Sequence, residues 1–297
     1  MLNEKCRCAR RARQNLTCLQ HVLGFNSGGM VSAPTIHLSD VQAVYSGPEG
    51  RLWELLMGEQ IHIGGLQSSM DLSERAGIGA GTQGVDLCCA SGAGMRCLVR
   101  LRGVERMTGV DATPAMVELG RRRCADEGLS GRITFIEGNA CQSGLPGGEA
   151  DFVWGEDAWC YVEDKARLIA EAVRLIKPGG SVAFTDWMLG DSALTSEEAE
   201  RYLSLMKFPN ALSLDEYRVL LETNGCTVRL AEDSGRFRTH LPLYIAMLEN
   251  QVTYDALKLV AFDSSLAQSL LSELRFMLSL AEAGRIIQGM IVAGKAL

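Results

Sequence analysis

No stretch of this chain reaches the roughly 18–20 consecutive apolar residues that a bilayer span requires. Its most apolar late stretch, Ile286 to Ala293, is far too short. Basic excess is lacking too. Lys and Arg number 29 against 36 Asp and Glu, for a net charge of -7, and no long basic stripe would track phosphates. That balance argues against a dedicated nucleic-acid binder. Proline is scarce, at 7 in 297 residues, and 47% of the chain is hydrophobic and evenly spread. Disorder, collagen and low-complexity classes are thereby excluded. A disulfide framework is also missing. Ten Cys stand at 6, 8, 18, 88, 89, 97, 124, 141, 160 and 226, scattered through apolar segments with no secretory signal. A chain this long can build its own core without staples, so reduced thiols and a cytoplasmic location are expected. Cys6 and Cys8 have no second pair at zinc spacing, and of the four His only His21 falls near them. No metal site is expected.

What is present is a rhythm. From about residue 81, short β-type runs alternate with amphipathic helical stretches. Strands are expected over 84–90, 106–111, 132–137, 150–155 and 181–187. Helices are expected over 93–101, 114–127 and 163–176, the last with Ala166, Ile169, Ala170, Val173 and Ile176 on one face. Lys177-Pro-Gly-Gly180 should end that helix, since Pro178 cannot continue it and the glycines permit positive φ. Such alternation argues for an α/β fold with a mostly parallel sheet, right-handed crossovers and helices on both faces. Ser213 and Glu216 have capping-box spacing, and Gly225 closes the helix they begin. Residues 226–230 and 285–296 read as two further strands.

Four segments follow. Residues 1–70 read as an N-terminal arm and helical cap, 71–239 as the core, 240–284 as a helical insertion, and 285–297 as the last strand. The arm is basic, with Lys5, Arg7, Arg10, Arg11 and Arg13. A solvated arm is expected, with a transit segment as the alternative. Leu266, Leu270, Leu271, Leu274 and Leu278 form an apolar stripe in the insertion, which suits either core packing or a homodimer contact.

Three motifs bear chemistry. In Asp86-Leu-Cys-Cys-Ala-Ser-Gly-Ala-Gly94 the side chains of Ala90, Ser91, Gly92, Ala93 and Gly94 are small. A cofactor can approach a strand's carboxyl end only over such a turn, where the next helix presents free N–H groups. An ordinary βα turn has the same look. Asp111 ends the second strand, 25 residues after Asp86. An acid there accepts hydrogen bonds from ribose hydroxyls, or it caps the helix that starts at Pro114, a task Thr113 could take instead. After the third strand, Glu137-Gly-Asn-Ala140 offers an amide and backbone N–H groups to an adenine edge, or simply turns the chain.

In their order these elements resemble class I S-adenosylmethionine-dependent methyltransferases, over roughly residues 70–190. A closer resemblance lies at two short stretches. Met57-Gly-Glu-Gln-Ile-His-Ile-Gly64 is similar to the Gly-Gly-Glu-Asp-Ile-His-Ile-Gly stretch of sarcosine/dimethylglycine N-methyltransferases. Trp154-Gly-Glu-Asp-Ala158, followed by Asp164-Lys165, is similar to their strand-four exit. The resemblance implies a Rossmann-like sheet of seven strands with the last antiparallel. It implies S-adenosyl-L-methionine as cofactor and S-adenosyl-L-homocysteine as product. It implies a small-molecule acceptor, with a glycine, sarcosine or dimethylglycine type of amine leading. A thiol, arsenite, hydroxyl or carbon acceptor, or a catalytically degenerate binding protein, are the alternatives. Cofactor contacts are expected from Tyr45, Asp86, Cys88, Ala90, Gly92, Asp111, Ala112, Met116, Asn139, Ala140 and Gly155. The family's turn reads Asp/Glu-x-Gly-x-Gly-x-Gly. Here Cys88 and Ala90 stand at the first two glycines and only Gly92 keeps its place; Asn139 stands where Asp is common.

Methyl transfer needs an in-line, desolvated and unprotonated nucleophile rather than a triad. The scattered His form no Ser–His–Asp order. Aromatic residues beside carboxylates suit an ammonium group. His62, Glu156, Asp157, Trp159, Tyr161 and Trp187 are therefore the expected acceptor contacts, with Trp53 and Trp154 nearby. Glu156 is the catalytic candidate, for amine recognition or proton removal. The plainer reading makes Trp154 and Trp187 core anchors, Asp157 a helix cap, Glu156 a solvated acid and His62 a packed structural residue.

Overall fold

A computed structural model describes residues 36–297, so the basic arm with Cys6, Cys8, Cys18 and His21 lies outside the described residues. Strands β1 (Gln83–Leu87), β2 (Arg106–Asp111), β3 (Ile133–Glu137), β4 (Ala150–Glu156), β5 (Ile176–Leu189), β6 (Cys226–Asp233) and β7 (Ile286–Lys295) form one sheet. Their order is β3-β2-β1-β4-β5-β7-β6. The first five pair in parallel, and β7 runs antiparallel between β5 and β6. The near-continuous apolar runs of β1, β4 and β5 are explained by this position. Those strands are buried along most of their length, as central parallel strands covered on both faces must be.

Helices α1 (Leu38–Ser46), α2 (Pro48–Met57) and α3 (Gly65–Arg75) make the cap. Helix α4 (Ala93–Leu101) follows β1, α5 (Pro114–Asp126) follows β2, and α6 (Lys165–Leu175) follows β4. Pro114 opens α5 with its φ already set for a helix. Asp164 caps α6 by accepting the Arg167 N–H at 2.9 Å. Helices α7 (Ser196–Met206) and α8 (Leu214–Thr223) lie between β5 and β6; α9 (Arg236–Ala246), α10 (Thr253–Leu259) and α11 (Ser264–Glu282) lie between β6 and β7. The capping box of α8 forms as expected. Ser213 N–H donates to Glu216 Oε2 at 2.8 Å, and Glu216 N–H to Ser213 Oγ at 3.3 Å.

Three boundaries differ from expectation. The first strand stops at Leu87, because Cys88 and Ala90 take φ of +65° and +45° and leave the extended region. Lys177–Gly180 does not separate α6 from the fifth strand. It lies inside β5, where the pairing with β4 shifts register between Ala150 and Phe152, and Gly179 supplies a φ of +76°. The sixth strand extends to Asp233, and the insertion turns helical at Arg236, four residues early.

Leu168, Ile169, Tyr217 and Leu221 pack α6 and α8 on one face of the sheet. Met95, Leu98, Val117 and Cys124 pack α4 and α5 on the other. A third cluster joins the cap to the insertion through Leu52, Leu56, Trp187, Phe208, Phe237 and Met277. Each such side chain contributes roughly 1.5–3 kcal/mol when fully buried. Leu274 belongs to that cluster and Leu270, Leu271 and Leu278 pack against it, which is the core-packing reading of the stripe. The described residues make one compact unit, and none of their helices is long and apolar enough to cross a membrane.

The chain leaves β1 toward β2 and leaves β4 toward β5, in opposite directions from the sheet's middle. A crevice therefore opens at the carboxyl ends of β1 and β4, where the chemistry-bearing turns lie.

Candidate active site

Three adjoining cavities fill that crevice, and Tyr45 of α1 lines all of them. The largest, about 570 Å³, is floored by the ends of β1, β2 and β3. Cys88, Ala90, Asp111, Ala112, Met116, Asn139 and Ala140 line it, all expected from sequence. Asp111 is the hub. Its Oδ2 accepts the Ala90 N–H and its Oδ1 the Thr113 N–H, both at 2.8 Å. The carboxylate thus ties the β1 turn to the β2 turn and still borders the cavity. Burial pushes it up, against the two backbone donors that pull it down. Thr113 makes no side-chain cap bond, so Asp111 organises the loop without capping α5. Asn139 Oδ1 accepts the Cys141 N–H at 2.8 Å, which fixes the amide at the cavity wall.

The second cavity, about 50 Å³, lies deeper, with Glu59, His62, Asp86, Cys88, Ala90, Glu156 and Asp157 in its wall. Four carboxylates meet there. Burial raises Asp86 well above the usual range, reinforced by Glu156 and Asp111. Burial raises Asp157 too, opposed by His62. Gly94 makes room for this group, since a Cβ there would strike the Glu156 carboxylate.

The third cavity, about 20 Å³, is aromatic. Tyr45, Trp53, Tyr161 and Trp187 line it with Met57, Ile61, Met206, His62 and Asp157. Tyr45 meets Tyr161 edge-on at 5.7 Å, and Tyr161 meets Phe208 at 5.0 Å. Asp157 reaches this wall with a strained φ of +49°. Its Oδ2 accepts the Ile63 N–H at 2.9 Å and Gln288 Nε2–H at 2.7 Å, while Gln288 also donates to the Ile63 carbonyl at 3.0 Å. Asp157 is therefore no helix cap. It fastens the His62–Ile63 segment to β7.

Three expected residues do not reach the cavities. Trp159 is fully buried, stacked on Phe184 at 4.2 Å, and its Nε1–H donates to the Leu87 carbonyl at 3.0 Å. It is a core anchor. Gly155 is small because Trp159 packs against it, and Gly92 because Phe135 would lie 2.6 Å from any Cβ. At both positions a Cβ would meet a packed ring, and Gly92 also takes a φ of +72° at the start of α4. Trp154 likewise sits in the core.

Sequence reasoning missed what holds the cap down. Buried Arg96 of α4 donates to the Ser91 carbonyl at 2.7 Å, pairs with Glu127 at 2.8 Å, and contacts Glu59. Arg123 of α5 donates to Ser91 Oγ at 3.1 Å and contacts Glu54. Gln42 Nε2–H reaches the Ala112 carbonyl at 2.7 Å. The contacts that reach the cap join residues 37 to 70 positions apart, so no local spacing announces them. The one available signal was an arginine on the buried face of α4.

Residues 85–184 match the methyltransferase domain family. The chain is 28% identical over 160 residues to a 27-O-demethylrifamycin SV methyltransferase of Amycolatopsis mediterranei, covering 53% of this chain and 58% of the relative. It is 32% identical over 113 residues to a dimethylglycine N-methyltransferase of Parasynechococcus marenigrum, covering 38% and 40%. This chain spans about half the length of such curated relatives. A structure from Galdieria sulphuraria, assigned as a sarcosine dimethylglycine methyltransferase, superposes with a TM-score of 0.75 at 20% identity, over 88% of this chain and 99% of that one. Residues 85–184 thus carry a methyltransferase domain, the fold is that of the class I methyltransferases, and the chain resembles their sarcosine/dimethylglycine N-methyltransferase group.

Proposed function

We propose that this protein moves the methyl group of S-adenosylmethionine to the nitrogen of a small amine. The donor set fits the cofactor. The large cavity has a hydrogen-bonding acid at Asp111 and small walls at Ala90, Ala112 and Ala140. Asp111 would take the ribose hydroxyls, and Asn139 with Ala140 and Met116 the adenine. The carboxylates of the second cavity, led by Asp86, would hold the ammonium end of the methionine moiety. A cationic ligand offsets the burial that raises Asp86 and Asp157, so the pocket favours positive charge. When bound, the cofactor supplies an electrophilic methyl on a sulfonium. The chain's own part is to hold the acceptor in line, dry and unprotonated.

The observation that carries the acceptor class is the third cavity. Its aromatic walls and Asp157 suit an ammonium through cation–π and charge attraction, and it shares Tyr45, His62 and Asp157 with the carboxylate pocket. Tyr161 and Trp187 would flank the amine, with Glu156 and His62 at its nitrogen. We also propose a cytoplasmic location, where the seven described free cysteines would stay reduced.

Calorimetry with S-adenosylhomocysteine tests the cofactor, and a second titration with sarcosine on the loaded protein tests the amine. Binding of both is expected. No heat with S-adenosylhomocysteine at high micromolar concentration would overturn the proposal and favour a second reading, a binding subunit without catalysis. Cys88 and Ala90 in left-handed conformation are that reading's support.

A further inference from the structure

His62 sits in the wall shared by the carboxylate-rich and aromatic cavities and is only 3% exposed. Its two ring nitrogens have very different surroundings. Nε2 lies 3.2 Å from Ser69 Oγ and 3.3 Å from Glu156 Oε1. Nδ1 is buried and meets no hydrogen-bond partner, and Glu156 Oε1, close to Nε2, accepts no hydrogen bond either, so their contact is one of charge. A lone pair on Nε2 facing a carboxylate oxygen is repelled, whereas a proton there is attracted. The surroundings therefore favour the tautomer with the proton on Nε2 and the lone pair on Nδ1.

The bracing is extensive. Gln60 Nε2–H donates to Ser69 Oγ at 2.9 Å, fixing the serine beside the ring. The next residue, Ile63, is bonded through both backbone groups to Asp157 and Gln288. Gly94 leaves the space that Glu156 occupies, and a Cβ there would also come 3.1 Å from Trp154 Nε1. A buried nitrogen without a partner costs roughly 1–3 kcal/mol. Such a cost, held in place from three sides, points to a partner that arrives with substrate.

We propose that His62, through Nδ1, is the group that takes the proton from the acceptor ammonium. The assignment rests on the amine reading above. The ammonium N–H bond breaks and its proton passes to Nδ1. The freed nitrogen lone pair forms the N–CH3 bond, while the S–CH3 pair stays on sulfur. Glu156 offsets the charge of the resulting imidazolium, and Ser69 keeps the ring from turning. Glu156 is thus a positioning residue, and His62 the catalytic one.

Two measurements test it. Nitrogen-15 NMR of the whole chain, with and without S-adenosylhomocysteine, reads the His62 tautomer directly, with His62→Gln to identify its signals. A protonated Nε2 and bare Nδ1 are expected; a protonated Nδ1 overturns the assignment whatever the acceptor proves to be. Glu156→Gln should shift the same signals toward a mixture of tautomers, and unchanged signals would count against the pair. In the second measurement, sarcosine methylation by His62→Gln should fall about a hundredfold in kcat with little change in KM. The loss should shrink as pH rises, because free amine then arrives from solution. Tyr45, Tyr161, Cys88, Cys89, Glu59, Asp86, Glu156 and Asp157 are the other titratable groups facing the two cavities, and all remain in the variant. A loss that is the same at every pH would mark His62 as merely structural and overturn the proposal. If the wild type methylates no sarcosine, the amine reading fails, and the NMR result alone decides His62.

Discussion

The two ends of the crevice are built in different ways. The cofactor end is local. Its walls come from turns that directly follow β1, β2 and β3, and Asp111 knits two of them together through backbone N–H groups. The end proposed for the acceptor is assembled from far apart: Tyr45 and Trp53 from the cap, Asp157 and Tyr161 after β4, Trp187 on β5, Met206 from α7 and Gln288 on β7. At the local end the backbone itself shapes the turn, with Cys88 and Ala90 held at positive φ. A dispersed site depends on the packing that brings its parts together.

Changes at the acceptor end should sharpen that contrast most. Trp159→Ala should destabilise the fold by about 3–5 kcal/mol, because it empties a fully buried site against Phe184. Trp187→Ala should also lower the melting temperature, because Trp187 packs in the cap cluster, but unlike Trp159→Ala it should raise the acceptor KM as well. Equal effects on both readouts from the two variants would erase the distinction between core and cavity tryptophan. Next comes Arg96→Ala. It strips a buried cation from Glu59, Glu127 and the Ser91 carbonyl, and about 3 kcal/mol of stability should go in thermal unfolding. Glu59→Ala should cost much less, since that carboxylate is half exposed.

At the cofactor end, Asp111→Ala should weaken S-adenosylhomocysteine binding by about 1–3 kcal/mol in calorimetry, the usual worth of a charged hydrogen bond. The loop behind Asn139 offers a pH test. Glu171 accepts from Arg174 and from Ser143, and these donors, Arg174 first, pull its carboxyl down to about 2 from an ordinary 4.5. A depressed folded value contributes stability above pH 4.5 and loses it as pH falls toward 2. Glu171→Gln should therefore flatten the fall in melting temperature over that range, and an unchanged slope would count against it. The smallest effect is expected from Ala90→Gly and Cys88→Gly. Each relieves a left-handed residue of roughly 1 kcal/mol, less the backbone entropy that glycine adds. Unfolding should show neutral or slightly raised stability; a clear loss would mean that these side chains, rather than the backbone, were holding the turn.

The same contrast explains what could be read from sequence. The sheet from β1 to β5 was legible because strand and helix periods alternate and Gly and Pro punctuate them. Asp111, Ala112 and Asn139 were legible because they sit at fixed places after strands. Trp159 and Trp187 were not distinguishable, as both are tryptophans beside strand ends. Both are buried, and only the Leu87 carbonyl and Phe184 ring show that Trp159 is turned wholly into the core, while Trp187 also borders a cavity. Gly92 and Gly155 line none of the cavities, and a packed ring lies where a Cβ would be at each. Gln288, Arg96 and Glu54 stayed silent because their partners are distant in the chain.

The most direct test follows the methyl group itself. The protein is incubated with S-adenosylmethionine carrying a carbon-13 methyl and an equal mixture of sarcosine, dimethylglycine and a simple phenol, and the product is read by NMR. Label on nitrogen, with none on oxygen, is the expected result. Label on the phenol oxygen, or no product while S-adenosylhomocysteine still binds, would contradict an amine acceptor in the aromatic cavity.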